Sequence, residues 1–138
     1  MIYCAKDILP AVRPKYVIVM IGSNNRLDDY SHGIYITDTE FKTGIQTIKD
    51  EIIAIGAIPI FNKIPGNAKN VANTTMNGKI TDVANTSPKS ILIAIDEETN
   101  DRDKTSFRTD YIHLNPKGEL KVYNKVISTM GWDSINNI

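Results

Sequence analysis

Three short apolar runs alternate with helical patterns, and this alternation is the feature that most constrains the fold. The runs "YVIVMIG", "AIPIF" and "SILIAI" are rich in β-branched residues and bounded by Pro, Gly or polar residues, which indicates strands buried on both faces. After the first run, apolar residues recur at helical intervals of four, three, four and three: Phe41, Ile45, Ile48, Ile52 and Ile55. Strands separated by helices are joined in parallel, so we predict an α/β domain with a parallel sheet between helical layers.

Local signals place the helix ends and the rim where a ligand would bind. Asp38 or Thr39 is predicted to cap the first long helix, and Gly56 to end it. A weaker helical pattern follows the second strand. The last segment, "PKGELKVYNKVISTMGW", closes as a helix with five apolar residues available for burial: Leu120, Val122, Val126, Ile127 and Met130. Ligands of parallel α/β sheets bind beyond the carboxyl ends of the strands. Here those ends are "GSNN", "NKIPGN" and the loop before His113.

Size and charge exclude several classes of function. The 138 residues correspond to one domain, and 16 basic residues balance 16 acidic ones. Zero net charge argues against nucleic-acid or anionic-membrane partners held by bulk charge, and the longest apolar run is too short to span a bilayer. Cys4 is the only cysteine, which excludes an intrachain disulfide and a thiolate metal site. We predict no metal, and nothing indicates a compartment.

Asp110 and His113 form one candidate chemical motif, in the turn before the last helix. A carboxylate three residues from an imidazole can accept the Nδ1–H, which fixes the tautomer and leaves Nε2 free as a general base. The spacing alone also fits a surface loop in which the two residues lie close by accident. His32, the other histidine, is interpreted as a solvated loop residue.

The segment "GSNN" at the end of the first strand is the second candidate motif. Gly22 allows a tight turn, and the side-chain amide of Asn24 on the rim can donate a hydrogen bond to a developing oxyanion. An ordinary strand-terminating turn has the same composition.

Together and in this order, the two motifs resemble those of the SGNH hydrolases, also called the GDSL esterase/lipase family. "YVIVMIGSNN" is similar to that family's Gly-x-Asn-Asp motif at the end of an apolar strand. "DYIHLNPKG" is similar to its final Asp-x-x-His motif, with a Gly opening the terminal helix. The resemblance extends from about Pro14 to Val126 and implies a flavodoxin-like, three-layer fold.

The resemblance also implies a role for individual residues. His113 would be the base, Asp110 the carboxylate that orients it, and Asn24 an oxyanion donor, with Gly22 and Asn25 beside the substrate. Asn25 departs from the family's usual Asp, which is not a member of the triad. No metal or organic cofactor is implied.

The family's first motif, which carries the nucleophilic serine, has no counterpart in this sequence. The 21 residues before Gly22 contain neither Ser nor Gly. Ser23, Ser31 and Ser106 do not follow a strand in the strained turn that exposes a nucleophile. We therefore interpret residues 1–138 as one SGNH-like domain that lacks its first strand–helix–strand unit and carries no nucleophile.

Several functions stay open at this point. One is a serine ester hydrolase acting on small acyl esters, for example acetyl groups on carbohydrate. Another is a non-catalytic SGNH-like binding or structural module of a larger assembly. A third is a flavodoxin-like nucleotide binder, since the order of strands and helices does not fix function. Against it, the segment after the first strand, "GSNNRLDD", has one Gly and two carboxylates and is not a Gly-rich phosphate loop.

The missing unit also has a consequence for partners. Without its neighbour, the strand at Tyr16–Ile21 would be an exposed apolar sheet edge, which is prone to aggregation. We expect a second copy of the chain, an upstream segment or a rearranged N-terminal segment to cover it.

Overall fold

A computed structural model of the chain describes residues 2–22, 36–66, 73–99 and 104–132. The helices and strands, in chain order, are α1 (Ile2–Val12), β1 (Tyr16–Val19), α2 (Asp38–Ala54), β2 (Ile58–Asn62), α3 (Thr74–Asn85), β3 (Ile91–Ile93) and α4 (Pro116–Met130). Short 3₁₀ turns at Ile95–Glu97 and Lys104–Ser106 lie between β3 and α4. Among the described helices, none has the length and apolar character needed to cross a bilayer.

The three strands form one parallel sheet in the order β1-β2-β3. Tyr16 on β1 is paired with Ile58, and Ile60 on β2 is paired with Ile91. The predicted α/β fold, with helices between successive parallel strands, is therefore confirmed.

Neighbouring residues of β2 face opposite helical layers, because side chains alternate along a strand. Phe61 belongs to the core that the sheet shares with α2 and α3. Ile60 belongs to a second core on the other face, where Val122 and Val126 of α4 pack against it. The sheet thus lies between two helical layers.

One face of β1 differs from the prediction of a strand buried on both sides. Val19 is buried against the α2 layer, but Ile18 is 49% exposed and the adjacent Met20 56% exposed. The cause is that α4 packs on β2 and β3 and its end reaches only Tyr16 at the start of β1, which leaves Ile18 uncovered on the same face. The expected burial of Leu120 is also wrong, since it lies on the outer side of α4 and is 57% exposed.

The start of α2 is capped one residue earlier than predicted, by Thr37. Its Oγ1 accepts a hydrogen bond from the backbone N–H of Glu40 at 3.2 Å, and Glu40 Oε2 accepts from the backbone N–H of Thr37 at 2.7 Å. This reciprocal pair is a capping box, so Asp38 and Thr39 are already helical. The helix ends at Gly56 as predicted, with a φ of +78° directly after the cap residue.

A fully buried lysine connects α2 to the end of α3. The ammonium of Lys49 donates to the carbonyl oxygens of Val83 and Thr86, both at 2.9 Å, and to Thr86 Oγ1 at 2.8 Å. All three N–H donors are therefore used, on two carbonyls and one hydroxyl at the negative end of the α3 dipole. Burial lowers the pKa of Lys49 because the charged form loses its hydration.

Candidate active site

The Asp-x-x-His motif forms a compact turn between the second 3₁₀ turn and α4. Asp110 Oδ2 lies 2.6 Å from His113 Nδ1. Asp110 Oδ1 accepts hydrogen bonds from the backbone N–H groups of Ile112 at 2.9 Å and His113 at 3.0 Å. The carboxylate thus holds the turn with one oxygen and the imidazole with the other.

Backbone hydrogen bonds close the same turn around a residue with an unusual conformation. Tyr111 has a φ of +59°, in the left-handed region that costs an L-residue about 1–2 kcal/mol. Its N–H donates to the carbonyl of Arg108 at 2.9 Å, and the N–H of Arg108 donates to the carbonyl of His113 at 2.8 Å. These bonds, with those of Asp110, offset the strain and hold the histidine in place.

Asn115 attaches the turn to the first turn of α4. Its Oδ1 accepts from the backbone N–H of Gly118 at 3.1 Å, which caps the helix. Its Nδ2 donates to the carbonyls of Thr105 at 2.8 Å and Phe107 at 2.9 Å. One side chain therefore joins the segment before the Asp-x-x-His motif to the helix after it.

The charge of Asp110 is stabilised by the donors around it. The pKa of this carboxyl lies well below its ordinary value, chiefly because of the hydrogen bond with His113 and then because of the two backbone N–H groups. A depressed carboxyl pKa gives a stabilisation that is present above the unfolded-state pKa, about 3.9, and is lost as pH falls through the folded value. Asp110 is therefore an anion throughout the range in which histidine titrates.

The imidazole of His113 is oriented for proton transfer. Its side chain is 71% exposed, and no hydrogen bond joins Nε2 to any residue that the structure describes. An Nδ1–H held by a carboxylate leaves the Nε2 lone pair free to accept a proton from a hydroxyl. This geometry matches what the resemblance implied for a base and its orienting carboxylate, and the roles themselves stay a prediction.

We expect the Nδ1–H tautomer of His113 to predominate when the ring is neutral, because Asp110 accepts from that nitrogen. Long-range ¹H–¹⁵N spectra above neutral pH should show a protonated Nδ1 and an unprotonated Nε2. Asp110→Ala should shift the population toward the Nε2–H form, while Asp50→Ala, at an exposed position on α2, should leave it unchanged. A predominant Nε2–H form in the unmodified protein would contradict the geometry.

The other predicted site residues are only partly within the described chain. Gly22 is buried at the end of β1, with a φ of +115°. Asn24 and Asn25 lie outside the described residues, so their placement beside His113 stays a prediction.

The other polar candidates from the sequence also lie only partly within the described residues. Ser106 is fully buried, so its hydroxyl is out of reach of an ester arriving from solvent. Ser23, Ser31 and His32 lie outside the described residues. No group of three or more His, Cys, Asp or Glu able to hold a metal occurs in the described part of the chain.

Sequence reasoning missed a second polar cluster, made of Lys63, Asn77 and Asp96. Lys63 Nζ lies 3.5 Å from Asp96 Oδ2, and Asn77 Nδ2 donates to the same oxygen at 3.3 Å. The only sequence signal was that Lys63 belongs to "NKIPGN" on the expected ligand rim. Asn77 and Asp96 lie in patterns typical of a helix and of a strand end, which gave no indication of a shared site.

Comparison with known proteins finds similarity in structure alone. No family model matches the sequence, and the search of curated proteins finds no match. The solved structure of TesA is similar at 15% identity, with a TM-score of 0.75 over 94% of this chain and 69% of that one. A mutant of Axe2, an acetyl-xylooligosaccharide esterase from Geobacillus stearothermophilus, gives 14% identity and a TM-score of 0.78 over 99% of this chain and 68% of that one.

A further solved structure supports the same fold. LAE5, an α/β hydrolase from the metagenome of Lake Arreo in Spain, is 15% identical with a TM-score of 0.77, over 94% of this chain and 66% of that one. The chain therefore shares the α/β fold of these three proteins, and a fold of this class is what the resemblance to the SGNH hydrolases implied. The chain spans about two thirds of the length of these proteins.

Proposed function

We propose that this chain is part of an SGNH-type serine ester hydrolase that acts on small acyl esters, such as acetyl groups on carbohydrate. The observation that carries the proposal is the 2.6 Å contact between Asp110 Oδ2 and His113 Nδ1, in a turn held by backbone hydrogen bonds. The fold and the esterases among the similar structures support the reaction class. The carbohydrate ester is chosen because Axe2 is an acetylxylan esterase.

The proposed reaction is acyl transfer in two steps. His113 Nε2 takes the proton of a serine hydroxyl as that oxygen attacks the ester carbonyl, and the imidazolium formed is stabilised by Asp110. Asn24 is assigned to the oxyanion, with Gly22 and Asn25 beside the substrate. The imidazolium returns its proton to the departing alcohol, and water then releases the acid from the serine ester with His113 again as base. In the proposal, the serine belongs to polypeptide outside these 138 residues.

A non-catalytic module with the same fold is the second candidate, favoured by one observation. The residues before Gly22 contain no Ser, and α1 and β1 occupy that stretch. In a module of this kind, the contact between Asp110 and His113 would only stabilise the turn, and His113 would not act as a base.

We expect the 138-residue chain alone and its His113→Ala variant to hydrolyse p-nitrophenyl acetate at rates that agree within about twofold. The reason is that a triad enzyme without its nucleophile retains only weak catalysis. Turnover of roughly 1–10³ s⁻¹, lost in His113→Ala, would reveal a nucleophile within the chain.

The sequence encoded upstream of Met1 separates the two candidates. A Gly-Asp-Ser strand there would support the hydrolase, and a polypeptide containing it should turn over the ester. In that longer protein, Asp110→Asn should lower kcat by about 10⁴-fold, the effect seen when the orienting carboxylate of a triad is removed. If no such strand is encoded and the protein is inactive, the non-catalytic module is the remaining candidate.

We propose that the same upstream polypeptide covers the part of β1 that the described residues leave exposed. Within the described chain β1 pairs only with β2, and Ile18 and Met20 expose apolar surface on the uncovered face. An unpaired edge of a sheet can pair with a further strand, and parallel sheets are normally covered on both faces, so we assign both the edge and the uncovered face of β1 to that polypeptide.

We expect the 138-residue chain to self-associate through this edge when it is prepared alone. Light scattering should show oligomers that Ile18→Lys reduces, because a charge on the uncovered face opposes pairing. Leu120→Lys, at an equally exposed residue of α4, is the control and should leave association unchanged. A monomer at high concentration would contradict the expectation that the edge needs a cover.

A further inference from the structure

The rim segment that follows β2 is held by a side chain of α3. The hydrogen bonds between strands end where the N–H of Lys63 donates to the carbonyl of Ile93 at 3.0 Å. Beyond that point, Asn77 Oδ1 accepts from the N–H of Ile64 at 2.7 Å, and Asn77 Nδ2 donates to the carbonyl of Ile64 at 3.1 Å. The Asn77 amide therefore takes the place of the peptide group of a neighbouring strand and satisfies both backbone groups of a buried residue.

Further hydrogen bonds fix the orientation of Asn77 and hold the same segment. Asn77 Nδ2 also donates to Asp96 Oδ2 at 3.3 Å, so both hydrogens of its amide are used. One turn earlier, Asn73 Nδ2 donates to the carbonyl of Pro65 at 2.9 Å. Asn77 is only 6% exposed, so loss of its side chain would leave buried backbone groups of Ile64 without partners.

The side chain of Ile64 connects this support to the end of β1. Ile64 is 1% exposed, and its Cδ1 would lie 2.7 Å from a Cβ added at Gly22. Phe41 of α2 approaches the same point, with its Cζ at 2.9 Å. Ile64 and Phe41 thus pack directly against the backbone of Gly22. Because a close-packed interior transmits small displacements, a shift of Ile64 should move Gly22 as well.

Gly22 is the first residue of "GSNN", the segment that also contains the proposed oxyanion donor, Asn24. Such a donor must lie about 2.7–3.1 Å from the position that the oxyanion will occupy. A misplacement of about 1 Å can lower the rate roughly 10²-fold. The support of Gly22 by its neighbours therefore matters for the proposed reaction as well as for stability.

We propose that Asn77 is a positioning residue for this oxyanion site. By fixing the backbone of Ile64 it fixes Gly22, and with Gly22 the start of the segment that carries Asn24. This role rests on the proposed function, in which Asn24 donates to the oxyanion. Asn77 is assigned no contact with the substrate and acts through Ile64.

Three variants separate positioning from general stability. Asn77→Leu removes the hydrogen bonds to Ile64 at similar side-chain volume. Ile64→Val keeps those bonds and removes only the Cδ1 methyl that packs on Gly22, so it tests the second contact even if Asn77→Leu does not fold. Ile52→Val is the matched control, because it removes the same methyl from a fully buried residue in the last turn of α2, far along the helix from Phe41.

The readout is the ¹H–¹⁵N spectrum of the 138-residue chain, at the Gly22 backbone amide and the Asn24 side-chain amide. We expect Asn77→Leu and Ile64→Val to shift both signals and Ile52→Val to leave both unchanged. In the unmodified chain the Ile64 amide should exchange slowly with solvent, because Asn77 accepts its hydrogen. Asn77→Leu should accelerate that exchange by at least about tenfold.

Several results would overturn the proposal. Unchanged Gly22 and Asn24 signals in folded Ile64→Val, or equal shifts in Ile52→Val, would show that Ile64 does not place the segment. A shift at Gly22 without one at Asn24 would confine the contact to the core. Fast exchange of the Ile64 amide in the unmodified chain would show that Asn77 does not hold it.

These results are independent of the esterase proposal, because the spectra need no nucleophile. Any of the negative results would remove the role of Asn77 and leave the esterase proposal standing. Shifts of both signals in a protein with no upstream serine strand would support the link from Asn77 to Asn24 and overturn the esterase.

Discussion

Gly118→Ala is expected to destabilise the protein by at least about 3 kcal/mol, at the upper end of the effects seen when a close-packed position receives an extra group. A Cβ at this position would overlap the carbonyl oxygen of Ser106 and lie 2.9 Å from Leu114 Cδ2. The nearest atom belongs to the backbone, so relief requires α4 to move away from the preceding segment. The midpoint of guanidinium denaturation measures the loss.

The same substitution should also disturb the candidate base. Asn115 donates to the carbonyls of Thr105 and Phe107 from the start of α4, so a displaced helix pulls on the turn that holds His113. We expect the Nδ1–H signal of His113 to shift or broaden in Gly118→Ala. An unperturbed signal in a destabilised variant would show that the turn is held without the helix.

Gly78→Ala is the matched control for Gly118→Ala. Both glycines lie in helices, but a Cβ at Gly78 meets nothing within 4 Å. This variant should be more stable than the unmodified chain by roughly 0.5–1 kcal/mol, the helix-propensity difference between the two residues. Equal effects at the two positions would show that close approach is not the reason for the glycine at 118.

Gly22→Ala is expected to cost about 3–5 kcal/mol, the combined effect of backbone strain and overpacking. The φ of +115° is a conformation that side chains rarely adopt. A Cβ would lie 2.7 Å from Ile64 Cδ1 and 2.9 Å from Phe41 Cζ, both in the buried core. The segment at the end of β1 would have to move away from α2 to relieve both contacts.

Gly56→Ala separates the two causes of the Gly22→Ala effect. Gly56 also has a positive φ, +78°, but a Cβ there meets nothing within 4 Å. Its alanine variant should lose only about 1–2 kcal/mol through strain. A difference of at least about 1 kcal/mol between the two variants would measure the packing at Gly22. No difference would contradict the close approach of β1 to Phe41 and Ile64.

The sequence alone determined the architecture of the chain because the local signals agreed with one another. Apolar runs bounded by Pro or Gly gave β1, β2 and β3, and the spacing of Phe41, Ile45, Ile48 and Ile52 gave the buried face of α2. The Asp110–His113 spacing could also be interpreted in advance, because both partners lie in one turn. Contacts between residues three apart depend on local backbone geometry, which local sequence encodes.

Only the tertiary structure decided which surfaces are covered and which distant groups meet. Nothing in "YVIVMIG" indicates that α4 covers β2 and β3 but leaves Ile18 exposed, since that depends on where a helix more than a hundred residues later packs. The buried ammonium of Lys49 likewise depends on the end of α3, 34 residues or more away. The cluster of Lys63, Asn77 and Asp96 forms because parallel pairing brings the ends of two strands together beside a helix. Such contacts arise from packing between elements, and for that reason the pattern within each element could not reveal them.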